Sequence, residues 1–350
     1  FGGDQILGQL PADVADKLKV YDRKSELARH TGNDDGDEDH VLDIQVKPGF
    51  LDKWYGDIEA QYQTKKRYSG ALTASRLSDQ DPHMIYAQAN NANRYVDKTI
   101  GSTSNRNIDG DGKSQYGSYN YQHNWQTKGT QQYTSNRFNI SANMGHSDGW
   151  NSGKASTETF FPNQEHTFGV KDTYRYKHNL KPQLEAKLFA YTDSANTIDV
   201  NVKATYEKAR KSYEEKSASY GYQPDQFAYH SLKEALDAKP GDALYDRLIT
   251  RDSEYESTEQ QQRGLNISYI WKHFIGKKGS FALQGFTNLS GTNEDTHTNR
   301  DVEYLREQHN ETLWQFYDRS AHELETQLGA SFDYWLGKKV YFNIFDNVRL

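Results

Sequence analysis

From Trp54 onward, apolar and polar residues tend to change places at every step. In the first segment Trp54, Gly56, Ile58, Ala60 and Tyr62 fall on one side, and Tyr55, Asp57, Glu59, Gln61 and Gln63 on the other. A strand projects successive side chains to opposite faces, so a period of two predicts a sheet with one apolar and one polar face. The pattern returns weakly over Tyr68–Asp79 and His83–Tyr95. It is clear over Tyr119–Gln126, Phe138–Met144, Gln183–Ala190, Ile198–Glu207, Leu265–Trp271 and Glu323–Tyr334. A segment opening on Phe281 and Leu283 turns polar toward His297, and a last one runs over Val340–Leu350. Eleven strands are predicted.

The links between them alternate in length. Short ones are expected near Asp79–Pro82, Thr127–Gln131, Asp193–Asn196, Ile275–Gly279 and Leu336–Lys339. Long ones are expected at Val96–Gly117, Ser147–His166, Ser217–Thr258 and Thr298–Thr312. Thr64–Tyr68 is short although it falls on the long-loop side. A soluble sandwich turns every ~8–12 residues. Longer strands with short turns at one end and long loops at the other belong to outer-membrane barrels. Trp54, Trp125, Trp271 and Trp335 all lie beside short-link ends, where an interfacial aromatic girdle is expected. Trp335 is one residue off its strand's apolar face, so a turn or bulge is expected to re-aim it.

Composition supports this picture. A mean hydropathy of −1.01 with 34% hydrophobic residues is very polar for a folded chain. Yet 25 Tyr, 15 Phe and 6 Trp argue against disorder, which is poor in aromatics. A wall that needs apolar residues only at alternate positions satisfies both facts. The chain has no cysteine, which excludes disulfides and thiolate chemistry. It has no apolar run long enough for a membrane helix. The net charge of −7 is mixed along the chain without a basic tract, so nucleic acid is not an expected partner. No signal peptide is visible at Phe1, so the sequence is expected to begin inside a longer precursor. Eleven strands cannot close a bacterial barrel, whose strand number is even, so further wall is expected from more chain or from another chain.

Residues 1–47 differ. Leu10-Pro11-Ala12-Asp13 is expected to open a helix over Val14–Val20 with Asp13 as N-cap. A polar loop, Asn33–Asp39, follows, then a strand over Val41–Lys47. This text resembles the end of the plug in TonB-dependent receptors of the Bacteroidetes, of the outer-membrane β-barrel group. The resemblance is carried by Leu10-Pro11-Ala12-Asp13-Val14-Ala15-Asp16-Lys17-Leu18, by Thr31-Gly32-Asn33-Asp34-Asp35-Gly36 and by Val41-Leu42-Asp43-Ile44. Lys47-Pro48-Gly49-Phe50-Leu51-Asp52-Lys53-Trp54 looks like that group's plug-to-barrel junction. The resemblance implies a bacterial outer-membrane location and a barrel of roughly 22 strands around a plug. It also implies energy from the TonB complex through an N-terminal motif. The expected fold is therefore all-β, a transmembrane antiparallel β-barrel, with residues 1–47 as the C-terminal part of a plug and 48–350 as the N-terminal half of the wall.

The chemistry expected is binding, not catalysis. His322-Glu323-Leu324-Glu325 lacks the second His of a zinc-protease motif. Glu323 and Glu325 face one way, but in a barrel they read as lumen polarity before a glycosidase pair. Asn107, Asp109 and Asp111 mimic the start of a calcium loop, yet the closing bidentate position is Ser118. Asp34, Asp35, Asp37, Glu38 and Asp39 form a second acidic stretch, read as a structural loop of the plug. No cofactor is expected beyond a weak calcium candidate. Trp150, Phe160, Phe161, Tyr220, Tyr222, Tyr229 and Trp314, all placed in extracellular loops, are candidates for stacking on a sugar or peptide ligand. A short helix over 223–238, with Pro224-Asp225 near its start, is expected to close over a ligand, to dock a surface lipoprotein, or to pack as a cap. Two functions follow: active uptake through a TonB-driven receptor, or a transport-inactive scaffold subunit of an outer-membrane complex. Lipid surrounds the wall in both.

Overall fold

A computed structural model describes residues 15–25, 28, 32, 36, 38–47, 49–91, 94–99, 102–107, 111–127, 136–161, 166–222, 228–336 and 340–349. Strands β1 (Ala15–Lys24) and β2 (Glu38–Val46) pair with each other. Strands β3 (Trp54–Gln63), β4 (Arg67–Arg76) and β5 (His83–Asn90) begin the main sheet. Strands β6 (Arg94–Thr99) and β7 (Ser102–Asn107) form a separate hairpin. The main sheet resumes with β8 (Asp111–Trp125), β9 (Asn136–Phe160), β10 (His166–Tyr191) and β11 (Asn196–Tyr222). Helix α1 (Leu232–Asp237) and a 3-10 turn (Tyr245–Arg247) precede β12 (Leu248–Ile275), β13 (Gly279–Tyr304), β14 (His309–Leu336) and β15 (Val340–Arg349). The main sheet has eleven strands, ordered from β15 down to β3 with only the β6–β7 excursion left out. Every pairing is antiparallel, so it is an up-and-down meander.

Pairing turns the alternation of single strands into continuous rows. Gly56, Ala74, Ile85, Tyr119, Ala142, Leu184, Ala204, Leu265, Leu289 and Leu324 stand side by side across β3 to β14. One residue along, the row reads Tyr55, Ser75, Met84, Asn120, Ser141, Glu185, Lys203, Asn266, Asn288 and Glu325. The first face is apolar and uncovered: Ile58 is 81% exposed, Leu184 53% and Leu324 64%. Ile198, Val200 and Val202 are partly exposed, so they do not form a buried protein core. Asp346 interrupts this face on edge strand β15.

The rows close on aromatic residues at the short-turn end. Trp54 packs tilted against His83 at 5.6 Å between ring centres, and His83 against Tyr121 at 4.8 Å. Trp125 lies over His123 at 5.6 Å and Trp271 over His273 at 6.2 Å. Trp335 departs from the girdle. The β14 pairings run without a register shift through Leu336, so no bulge re-aims it, and it shares the polar face with buried Asp333. Just below the rows, Asn136 is fully buried. Its carboxamide oxygen accepts the Tyr191 N–H at 2.7 Å, and its Nδ2 donates to Thr127 Oγ1 at 2.7 Å. Thr127 Oγ1 donates in turn to the Tyr191 carbonyl at 2.6 Å. Asn136→Ala is expected to leave the Tyr191 N–H without its acceptor and to cost about 1–3 kcal/mol, read by urea unfolding in detergent.

Three sequence expectations are corrected. Val14–Val20 is not helical where described: β1 runs from Ala15 and pairs Leu18 with Ile44 and Val20 with Leu42, so hairpin pairing overrides the helix signal. Asp13, the expected N-cap, lies outside the described residues, as do Asp34, Asp35 and Asp37. The long loops are also far shorter than expected. Ser147–Phe160 belongs to β9, Ser217–Tyr222 to β11, Leu248–Thr258 to β12 and Thr298–Tyr304 to β13. The 96–117 link likewise contains β6, β7 and the start of β8. Finally, the helix begins at Leu232, later than Pro224-Asp225, which lies outside the described residues.

The long strands explain the second correction. Strands β9 to β14 have 25 to 28 residues, whereas about 9–11 cross a bilayer. Apolar rows occupy only the lower part, over 138–144, 184–190, 198–206, 265–271, 281–289 and 324–334. Above them, outside one capped patch, both faces are mostly polar, and ion pairs such as Lys208–Glu259 at 2.7 Å and Lys171–Glu215 at 3.1 Å replace apolar neighbours. Without an apolar face there is no period to detect.

Candidate functional site

Above the apolar rows, β9 to β14 stand as a polar wall, and one patch of it is capped. Phe168 and Val170 on β10 are even-numbered, like Leu184, and the β10 register is unbroken between them. The capped patch therefore lies on the face that carries the apolar rows below, not on the opposite polar face. Phe168, Val170, Tyr220, Leu232, Ala235 and Leu248 are buried there together.

Helix α1 is short, so its ends decide whether it forms. Ser231 is the N-cap: its Oγ accepts the Glu234 N–H at 3.3 Å, and Glu234 Oε2 accepts the Ser231 N–H at 2.7 Å. This reciprocal box satisfies two otherwise orphaned donors. At the other end Arg251 of β12 holds the carbonyls. Its Nε donates to Ala235 O at 2.9 Å and its Nη2 to Ala238 O. Its Nη1 pairs with Glu303 at 3.2 Å, and its plane lies 5.5 Å from the Tyr245 ring. The Tyr220 hydroxyl accepts the His230 N–H at 3.1 Å. The segment 228–247 is thus a self-packed cap on the wall.

The Ser231 N–H, aided by the Ser231 side chain, holds the Glu234 carboxyl below its ordinary range. A depressed acid contributes stability that is full above the ordinary carboxylate range and lost as pH falls through the depressed value. Amide protection at Ser231–Ala235, taken relative to the intrinsic exchange rate at each pH, is therefore expected to fall on acidification, and Glu234→Gln to remove that pH dependence.

Four of the seven candidate aromatics come together. Phe160 meets His166 at 4.6 Å, His166 meets Tyr222 at 5.6 Å, and Tyr222 meets Tyr220 at 6.5 Å. Phe168 then bridges Tyr220 at 5.6 Å and Tyr229 at 5.8 Å. Phe161 follows Phe160 and is exposed. The Tyr222 hydroxyl donates to Glu158, and burial, with that bond, pushes it up to about 12. Trp150 and Trp314 stay apart: Trp150 sits low on β9 opposite Asp111 and Tyr176, and Trp314 on β14 opposite Asn299. Beside α1 lies a cleft of about 370 Å³ walled by Lys216, Arg251, Asp301 and Glu303. Among the described residues no aromatic ring lines this cleft; Tyr220 and Tyr222 are buried under the cap, while Phe160, Phe161 and Tyr229 stay exposed.

The calcium candidates fall at the end of one strand, the start of another and, in sequence, between them. Asn107 ends β7, Asp109 lies outside the described residues, and Asp111 opens β8 with its carboxylate 2.6 Å from Arg67. A different grouping is assembled by strand pairing. His146 and Asp148 of β9 and His178 of β10 place one ligand atom each within 4.8 Å of one another. The available signal was His146-x-Asp148, two positions of one strand face, but its partner is 30 residues from Asp148 in sequence.

No protein-family model matches the chain, and no curated protein matches it in sequence. Among solved structures, the ferric yersiniabactin uptake receptor FyuA from Yersinia pestis is similar at 9% identity and a TM-score of 0.22. The match covers 94% of this chain and 51% of the receptor, so the chain spans about half of that receptor's length. At that score the likeness carries no argument, and the architecture rests on the strands themselves.

Proposed function

We propose that this chain forms part of an outer-membrane β-barrel wall and that the barrel works as a TonB-dependent receptor for active uptake. The observation that carries the reading is the unbroken apolar row from Gly56 to Leu324. A row of that length needs an apolar surround, and a lipid-facing sheet meets the need while pairing its backbone internally. No helix among the described residues is long and apolar enough to cross a membrane, so crossing falls to the strands. The aromatic end of the rows supports an interface there. The separate β1–β2 hairpin fits the plug that the sequence resemblance implies. The ligand class is a glycan, a peptide or a metal chelate, bound from outside and admitted when the TonB system moves the plug.

A second reading, a scaffold subunit that docks a surface lipoprotein or another complex member, is favoured by one observation. The capped patch lies on the face that continues the lipid side, pointing away from a lumen. The two readings separate in the cell. Uptake predicts that deleting the gene and inactivating the TonB system abolish growth on the same nutrient. Stable co-purification with envelope assembly factors, with no uptake defect, would overturn it in favour of the scaffold.

A further inference from the structure

We infer that His146, Asp148 and His178 form a binding site for a divalent transition-metal ion on the wall just above the apolar rows. Asp148 and His178 are direct cross-strand partners, and His146 lies two residues before Asp148 on the same face. His178 Nδ1 is 2.8 Å from Asp148 Oδ1, and His146 Nε2 is 3.6 Å from Asp148 Oδ2. The two imidazoles lie 5.0 Å apart at 62°. Ligands at Zn–N and Zn–O distances of about 2.0–2.2 Å in a tetrahedron are separated by about 3.3–3.6 Å. His146 Nε2 already stands near that separation from Asp148 Oδ2, and His178, now beside Oδ1, would turn toward the same oxygen, so side-chain rotations would complete the set. The backbone need not move, because the β9–β10 ladder is continuous through all three positions.

The donor set selects the ion. Two imidazoles and one carboxylate suit zinc, copper or nickel, whereas calcium and magnesium require oxygen ligands. Three protein ligands leave one coordination position for water or an incoming group. The carboxylate is already oriented: the Tyr176 hydroxyl donates to Asp148 Oδ1 at 2.9 Å, which leaves Oδ2 for a metal. Such outer partners fix the ligand and raise its basicity. All three side chains are about a quarter exposed, enough for an ion to enter. Lys113 faces Asp148 from β8 and Arg210 faces His178 from β11, so the flanks are cationic. Coordination therefore has to be local and covalent in character, since the surrounding field does not attract a cation. A bound ion would clip β9 to β10 where the wall leaves the membrane.

The intact protein in detergent, stripped with EDTA, is titrated with ZnCl2 by calorimetry and with CoCl2 by visible absorbance. One zinc per chain and tetrahedral cobalt bands are expected at neutral pH. H178Q and H146N are each expected to weaken binding by more than about tenfold, the loss that even an outer-shell partner brings. Y176F is expected to weaken binding while retaining the cobalt bands. A heat-modifiable band on gels confirms that each variant folds. The inference fails if the wild type takes up no stoichiometric metal, or if a folded H146N/H178Q double variant binds zinc as the wild type does.

Discussion

Val200→Arg is expected to destabilise the protein by about 2–4 kcal/mol in a bilayer, while Asn201→Arg beside it is nearly neutral. Val200 lies in a row that reads Phe138, Leu188, Val200, Tyr269, Gly285 and Leu328 across neighbouring strands. Tyr269 lies across Gly285, where a Cβ would meet the Tyr269 hydroxyl at 2.7 Å, so even the glycine is covered by an apolar ring. A guanidinium here would have to shed water or draw it into the hydrocarbon. Asn201 belongs to the opposite row, between Lys187 and Ser268, where another charge stays hydrated. Urea titration in phospholipid vesicles measures both. Equal costs for the two substitutions would sink the assignment of the lipid face.

Arg251→Ala is expected to release the cap. The side chain is only 16% exposed and serves two helix carbonyls, Glu303 and the Tyr245 ring at once. Its removal leaves the buried Ala235 and half-buried Ala238 carbonyls without this donor, so the local cost is about 2–4 kcal/mol. The sheet beneath has its own ladder, so the loss is confined to the segment 228–247 as a local opening. Hydrogen exchange and limited proteolysis are expected to show that segment open while β11 and β12 stay protected. Arg251→Lys rescues only in part, because an ammonium cannot fork to both carbonyls and the carboxylate. Unchanged protection in the alanine variant would mean that Leu232, Ala235 and Leu248 hold the cap alone.

The site was less legible than the wall. Phe160, Tyr220, Tyr222 and Tyr229 were visible as aromatics near strand ends, but only pairing His166 with Phe160 and Tyr222 shows that they touch. Phe168 and Arg251, which organise them, carry no local signature. Each is an ordinary residue in a polar strand until the cap lands on it. His178 joins His146 and Asp148 through register alone.

Alternation of residue types determined, by itself, which side chains of each lower strand face together, because a strand's two-residue period is local. It also located the short turns, where apolar alternation stops abruptly. It failed on the upper strands, and for a physical reason: hydrogen bonds to neighbouring strands continue there, but no apolar phase marks them, since both faces are mostly polar. Tertiary structure decided the rest. It aligned ten strands into rows, turned the N-terminal segment from helix to hairpin through its partner strand, and set the cap on the same face as the apolar rows. Those outcomes depend on register between distant segments, which no single stretch of sequence carries.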